Sequence, residues 1–155
     1  MDVKRSAEFD LAYIRMAHIW GRLSRAQRKK VGCLVVKNNT IISDGFNGTP
    51  TGFDNECEYT QWDDQFIKNK DNHPEKLVTR PEVLHAESNA ITKLAKSTQS
   101  STGATMYITI SPCIECAKLI IQSGISRVVY GEMYRNTEGV DLLKKASIIV
   151  DTILN

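Results

Sequence analysis

The stretch GATMYITISPCIECAKLIIQSGISRVVY, residues 103–130, contains a strand pattern, a helix pattern and a second strand pattern in succession. ATMYITI and SRVVY are short runs rich in β-branched and aromatic residues, which is typical of strands. Between them, Ser111 and Pro112 predict a helix start, with serine as the N-cap and proline at the first helical position, and Gly124 predicts the helix end. A strand, a helix and a strand in this order indicate a parallel βαβ unit.

The rest of the chain extends this unit into one α/β domain. A helix is predicted from about Ala7 to Leu23, and the runs VGCLVV and TIISDGF, which KNN separates, predict a hairpin. A helix from His85 to Lys96 precedes the βαβ unit, and TEGVDLLKKA and SIIVDTI add a short helix and a last strand. We therefore expect a single domain over residues 1–155 with a three-layer α/β/α fold, in which helices cover both faces of a central mixed five-stranded sheet.

One segment, from about residue 54 to residue 83, interrupts this regular pattern. It is polar, charged and longer than an ordinary connection, so we interpret it as a functional insertion that contains some helix. Cys57 and His73 lie within it. Because cysteine and histidine are common metal ligands, a second metal site in the insertion stays open as an alternative.

The composition excludes several classes of protein. Hydrophobic residues make up 41% and charged residues 25%, as in an ordinary globular protein. No apolar run reaches the roughly 18–20 residues that a membrane span needs, and the charged N-terminus MDVKRSAEFD lacks the apolar core of a secretory signal, so we expect a cytoplasmic protein. A net charge of +2 argues against a polynucleotide partner, although RLSRAQRKK, residues 22–30, is a local basic cluster. This cluster suits either a solvated helix end or the wall of a pocket for a small anion.

The cysteines indicate a metal site. Four cysteines without a secretory signal are expected to be reduced. Cys113 and Cys116 are three residues apart at a predicted helix start, so both sulfurs face one side, and the helix N-terminus favours their thiolate form. His85 opens the preceding helix, and in a βαβ arrangement the two helix starts meet at one end of the sheet. The three side chains predict a zinc site with one position left for water, as in catalytic zinc sites.

Glu87 follows His85 by two residues, which is about 200° around a helix, so its carboxyl group is poorly placed to share the metal. It is better placed to move protons between water and a substrate held beside it, and a zinc ion lowers the pKa of its bound water toward 7. A structural zinc site completed by Cys57 or His73 stays open as the alternative.

H-A-E at residues 85–87 and P-C-I-E-C at residues 112–116 together resemble the H-x-E…P-C-x-x-C pattern of zinc nucleobase deaminases. The chain is similar to the cytidine deaminase superfamily. VGCLVVKNNTIISDGFNGTPTG, the insertion before HAE and the βαβ segment resemble its deoxycytidylate (dCMP) deaminase branch, the ComE-type branch that some phages also carry. The resemblance implies hydrolysis of dCMP to dUMP and ammonia, which supplies dUMP for dTMP synthesis. It makes His85, Cys113 and Cys116 the ligands of one Zn2+ per chain, and Glu87 the proton shuttle.

The same resemblance implies a nucleotide-binding, regulated oligomer. Asn47 would contact the sugar of the substrate. GFNG at residues 45–48 resembles the family's G-Y-N-G motif, which makes Gly45, Phe46 and Gly48 the contacts of an allosteric effector, with Phe46 in place of the usual tyrosine. In the family, dCTP with Mg2+ activates, dTTP inhibits, and the assembly is commonly a homohexamer.

The phosphate of a nucleotide needs fixed positive charge. The basic cluster supplies four cations just before the first strand: Arg25, Arg28, Lys29 and Lys30. Of these we choose Arg25 and Lys29 as substrate contacts. We add Ser111 and Tyr134, the latter because it follows a strand at the kind of position that faces ligands in α/β sheets. A free-nucleoside cytidine deaminase, a tRNA adenosine deaminase and a zinc-stapled binding module without turnover remain as alternatives, and no membrane partner is expected.

Overall fold

The computed structural model of the chain describes residues 3–62 and 75–153. The helices are α1 (Val3–Gly21), α2 (Ala86–Leu94), α3 (Ile114–Gln122) and α4 (Glu138–Lys145). The strands are β1 (Gly32–Lys37), β2 (Thr40–Phe46), β3 (Glu58–Trp62), β4 (Glu75–Thr79), β5 (Thr105–Ile110), β6 (Arg127–Glu132) and β7 (Ile149–Thr152). None of the helices in these ranges is long and apolar enough to cross a membrane.

A mixed sheet of five strands, in the order β2-β1-β5-β6-β7, forms the centre of the fold. β1 pairs antiparallel with β2 and β5, whereas β5, β6 and β7 pair in parallel. The two parallel connections are the α3 and α4 crossovers that the alternation of strand and helix patterns predicts. The predicted three-layer α/β/α fold with a central mixed sheet is confirmed.

The two faces of the sheet carry separate apolar cores. β1 is buried along most of its length, and its alternate side chains point to opposite faces. Leu34 and Val36 pack with the side chains of α1 on one face. Cys33 and Val35 join the larger core beneath α2, α3 and α4 on the other face. This division leaves the starts of α2 and α3 on the same face.

A buried ion pair fastens α1 to the sheet. Asp10 accepts hydrogen bonds from Arg127 Nη1 at 2.9 Å and Nη2 at 2.7 Å, and from the Tyr107 hydroxyl at 2.6 Å. Arg127 Nε also donates to Asp151 at 2.8 Å, which extends the contact to β7. Burial alone raises the pKa of Asp10, but the bonds from Arg127 and Tyr107 outweigh it and leave that pKa below its ordinary value of 3.8.

The predicted start of α3 is wrong by two residues. Cys113 is the N-cap of this helix, and Ser111 lies two residues before it, directly after β5. The Ser111 hydroxyl accepts a hydrogen bond from the Tyr134 amide at 2.7 Å, and the Ser111 amide donates to the Glu132 carbonyl at 2.8 Å. Serine therefore ties two strand ends together instead of capping the helix. The predicted end is correct, because Gly124 has a φ of 76° directly after the last turn.

The described part of the insertion forms strands, where the sequence predicted some helix. β3 and β4 pair antiparallel, with Glu58 opposite Thr79. Residues 63–74, including His73, lie outside the described residues, so the alternative of a metal site from Cys57 and His73 falls partly beyond them. Cys57 itself is buried directly before β3.

Candidate active site

The starts of α2 and α3 bring one histidine and two cysteines together. His85 and Cys113 are the N-cap residues of the two helices, and both have extended backbone angles. His85 Nδ1 lies 3.6 Å from the Cys113 sulfur and 3.4 Å from the Cys116 sulfur. The three side chains therefore present their donor atoms to a common point, with all of those atoms within 4.8 Å of one another.

This donor set has the spacing of a tetrahedral zinc site. Zinc bonds of roughly 2.3 Å to sulfur and 2.0–2.1 Å to nitrogen place the two kinds of ligand atom about 3.5 Å apart at a tetrahedral angle. The two observed nitrogen–sulfur distances lie on either side of that value. Within residues 3–62 and 75–153, no fourth histidine, cysteine or carboxylate joins the group, so the described donors leave one coordination position open.

The protonation of the thiols suits metal binding. A hydrogen bond from Cys116 holds the pKa of Cys113 at about 3, and the same bond together with burial raises the pKa of Cys116. The hydrogen bond to Cys113 also raises the pKa of His85. A thiolate at Cys113 is the form that binds metals, and it lies at a helix N-terminus, whose partial positive charge stabilises it.

Glu87 is a buried acid beside this group. It lies in the first turn of α2, and 4% of the residue is exposed. Burial raises its pKa to about 7, although its own backbone amide and the charge on His85 partly oppose the rise. A carboxyl group with such a pKa can accept and release a proton at neutral pH.

A cavity of about 290 Å3 connects these residues to a set of cationic and polar side chains. His85, Glu87 and Cys113 form part of its wall. The other residues relevant to a ligand are Arg28, Lys29, Asn47, Glu58, Ser111, Tyr134 and Arg135. Four of the five predicted substrate residues therefore line one cavity with the proposed catalytic group.

Arg25 is the predicted substrate residue that the structure places elsewhere. It lines a separate surface depression next to the insertion. Ala26 is buried and lines the cavity, whereas its neighbours in sequence, Arg25 and Gln27, line the depression. Arg25 therefore does not share the cavity with the other four residues, and its role in substrate binding stays a prediction.

Two cations that line the cavity are not among the substrate residues predicted from the sequence. Arg28 belongs to the basic cluster but was not chosen. Arg135 is not among the predicted substrate residues, and its guanidinium lies 5.3 Å from the centre of the Tyr134 ring. The signal that selected Tyr134, its position after a parallel strand, applies equally to Arg135 in the same loop.

In the GFNG stretch, residues 45–48, several backbone groups already make contacts within the chain. Gly45 packs so closely against the backbone of Ala86 that any side chain would collide with it. The amides of Asn47 and Gly48 donate to the carbonyls of Val31 and Leu84. These two amides are therefore bonded within the chain, and the role of Gly45, Phe46 and Gly48 in effector binding stays a prediction.

Asn47 braces the loop that precedes β1. Its Oδ1 accepts a hydrogen bond from the Val31 amide at 2.9 Å, and its Nδ2 donates to the Lys29 carbonyl at 2.8 Å. The amide therefore holds the backbone on both sides of Lys30. Because the side chain also lines the cavity, it can hold this loop and still present its remaining polar capacity to a ligand.

Comparison with known proteins identifies the family. The model for the cytidine and deoxycytidylate deaminase zinc-binding region matches residues 7–132, and the chain belongs to this family. The deoxycytidylate deaminase of Enterobacteria phage T4 is 36% identical over an alignment 166 residues long. This alignment covers 88% of this chain and 86% of the relative. ComE operon protein 2 of Bacillus subtilis is 30% identical over 142 residues, which cover 91% of this chain and 69% of the relative.

A solved structure extends the likeness to the whole fold. The crystal structure of dCMP deaminase from the cyanophage S-TIM5, in complex with dCMP and dUMP, is similar with a TM-score of 0.82 and 38% sequence identity. The match covers 99% of both chains. The similarity therefore includes the parts of the chain that lie outside the family model.

Proposed function

We propose that this chain hydrolyses dCMP to dUMP and ammonia, and so supplies dUMP for dTMP synthesis. The observation that carries the proposal is the buried acid Glu87, with a pKa of about 7, beside a Cys2His donor set in a cavity that cations also line. The phage T4 relative and the cyanophage structure, both dCMP deaminases by name, support the choice of substrate.

In this proposal, His85, Cys113 and Cys116 hold one catalytic zinc ion. When bound, zinc supplies a water that ionises near neutral pH. Glu87 accepts a proton from the water that adds to C4 of the cytosine ring, and it delivers a proton to N3. It then takes the remaining proton of the new C4 hydroxyl and passes it to the amino group. The C4 oxygen becomes a carbonyl as the bond between C4 and that nitrogen breaks, and ammonia leaves. Because Glu87 acts first as a base and then as an acid, a pKa near 7 suits both roles.

The cations of the cavity wall account for a nucleotide substrate. The monophosphate of dCMP is nearly dianionic at neutral pH, and charge-assisted hydrogen bonds from arginine and lysine are its strongest partners. Lys29 donates to both carboxylate oxygens of Glu132 at 3.1 Å, and both side chains are more than half exposed. An exposed pair of this kind is weak, so a phosphate can replace Glu132 as the partner of Lys29 at little cost.

The polar residues of the cavity have supporting roles in the same proposal. Asn47 contacts the sugar while it braces the loop around Lys29. Ser111 holds the amide of Tyr134, which places the Tyr134 side chain at the cavity wall as a phosphate contact. These roles rest on position and hydrogen bonding.

We also propose regulation of a homohexamer, with dCTP and Mg2+ as activators and dTTP as an inhibitor. This part rests on the resemblance of Gly45, Phe46 and Gly48 to the family motif. Since the Asn47 and Gly48 amides are bonded within the chain, effector contacts at this motif must come from other groups.

A substrate panel tests the proposal. We expect kcat/KM for dCMP to exceed that for deoxycytidine by about tenfold to a hundredfold, the value of a charge-assisted phosphate contact, with no release of ammonia from tRNA adenosine. Equal values for dCMP and deoxycytidine would favour the free-nucleoside enzyme. Ammonia release from none of these substrates by zinc-loaded protein, together with unfolding when the metal is removed, would favour a zinc-stapled binding module.

A further inference from the structure

Glu58, the first residue of β3, is a buried carboxylate that the proposed reaction does not use. It is 7% exposed, although it lies in the insertion and the residues beside it on β3 are exposed. Removing a carboxylate from water is costly unless hydrogen bonds compensate for the lost hydration. The position of Glu58 therefore depends on partners within the chain.

Those partners are two backbone amides of the cationic loop. Glu58 Oε1 accepts from the Gln27 amide at 3.0 Å and from the Arg28 amide at 3.1 Å. The Gln27 amide also lies 3.1 Å from Oε2. Backbone amides in a loop between two elements need such partners when they are withdrawn from water. One carboxylate oxygen therefore fixes two consecutive residues of the loop.

The second strand of the insertion holds the same loop through a side chain. Arg28 Nη1 donates to the Thr79 hydroxyl at 3.0 Å, and Thr79 lies directly opposite Glu58 in the β3–β4 pair. One end of the hairpin thus holds both the amide and the guanidinium of Arg28. Asn47 holds the next part of the loop through the Lys29 carbonyl and the Val31 amide.

The loop held in this way carries two of the cations that line the cavity, Arg28 and Lys29. A long cationic side chain loses much conformational freedom when it binds a phosphate, and a fixed backbone reduces what remains to be ordered. The insertion therefore holds the part of the cavity wall that carries Arg28 and Lys29.

We propose that Glu58 is a positioning residue for the phosphate of the substrate, and that the inserted hairpin sets the preference for a nucleotide over a nucleoside through it. The inference rests on the proposed function, because it takes dCMP as the substrate. Glu58 acts through the backbone of Gln27 and Arg28. Its loss weakens phosphate binding and leaves the chemistry at the cytosine ring unchanged.

The test measures kcat and KM for dCMP and for deoxycytidine in Glu58→Ala and Glu58→Gln. For Glu58→Ala, we expect KM for dCMP to rise about tenfold, with kcat within about threefold of the wild type, because the lost binding is common to the ground state and the transition state. The kcat/KM for deoxycytidine should not change. Glu58→Gln should restore most of the preference, since a glutamine Oε1 can accept from both amides.

Glu56→Ala is the matched control. Glu56 lies two residues away on the same segment, pairs with Arg80 at 3.2 Å and is largely exposed, so its removal should leave both substrates unaffected. Thr79→Val removes the second tie without uncovering the two amides. It should raise KM for dCMP a few-fold, and it serves as the test if Glu58→Ala does not fold.

Three kinds of outcome would overturn the role of Glu58. An equal loss of kcat/KM for both substrates in Glu58→Ala would indicate a general structural role. A stronger preference for dCMP in Glu58→Gln than in the wild type would mean that the negative charge of Glu58 repels the phosphate. An unchanged preference in Glu58→Ala, or in Thr79→Val where the alanine variant does not fold, would remove the hairpin from substrate selection. A wild-type chain without a preference for dCMP would instead reject the proposed function itself.

Discussion

Asp10 on α1 and Glu87 on α2 are buried carboxyl groups on opposite faces of the sheet, 7% and 4% exposed. Burial raises the pKa of both groups, but only Asp10 has an arginine and a tyrosine hydroxyl that outweigh it. Asp10 is therefore ionised and holds α1 against the sheet. Glu87 has a pKa of about 7 and can exchange a proton beside the Cys2His group. The partners of a buried acid, more than the depth of its burial, therefore decide whether it serves stability or chemistry.

The largest effect on stability should come from removing Asp10. Asp10→Ala leaves Arg127 and the Tyr107 hydroxyl without their buried partner, so we expect the free energy of unfolding in urea to fall by about 3 kcal/mol, as when one member of a buried pair is lost. The turnover per folded, zinc-loaded chain should stay near that of the wild type.

Asp151→Ala is the control for this prediction, because Asp151 contacts the same arginine from a more exposed position. We expect it to cost less than about 1 kcal/mol. If the two variants lost similar amounts, or if Asp10→Ala abolished turnover in folded protein, the separation of the two carboxyl groups into structural and chemical roles would be wrong.

A smaller effect should appear in acid. The pKa of Asp10 is lower in the folded chain than its ordinary value of 3.8, so its contribution to stability is present above that value and is lost as the pH falls through the folded pKa. Asn does not titrate. Between about pH 5 and pH 2, the wild type should therefore lose more free energy of unfolding than Asp10→Asn. Parallel pH profiles of the two proteins would contradict the assignment of an ionised Asp10.

The sequence allowed the fold and the centre of the site to be predicted, because both depend on local patterns. The strand and helix runs have characteristic periods, and His85, Glu87, Cys113 and Cys116 lie at fixed short spacings within two motifs. The partner of Asp10 is Arg127, 117 residues away, and no local pattern connects them. The contact of Glu58 with the amides of Gln27 and Arg28 could not be predicted from the sequence either, because it also joins segments that are far apart in the chain.

The errors also have physical causes. Ser111 and Pro112 match a helix start in composition. The Ser111 hydroxyl instead accepts a hydrogen bond from the Tyr134 amide, and the helix begins at Ile114. Arg25, Arg28 and Lys29 are close in sequence, yet Arg25 lines a different depression from the other two, and no local pattern shows which residues of this loop face the cavity. The insertion lacks a clear period, so its described strands could not be distinguished from helix.

If Glu87 moves the protons of the proposed deamination, kcat for dCMP must depend on its carboxyl group, and Glu87→Gln at matched zinc content measures that dependence. Glutamine preserves the shape of the side chain but cannot exchange a proton. We expect kcat to fall by at least about a hundredfold, while the zinc content and the free energy of unfolding stay at or above those of the wild type, because a buried acid without strong partners adds little stability. A variant that retains zinc and turns over dCMP at a near-normal rate would show that Glu87 does not move these protons.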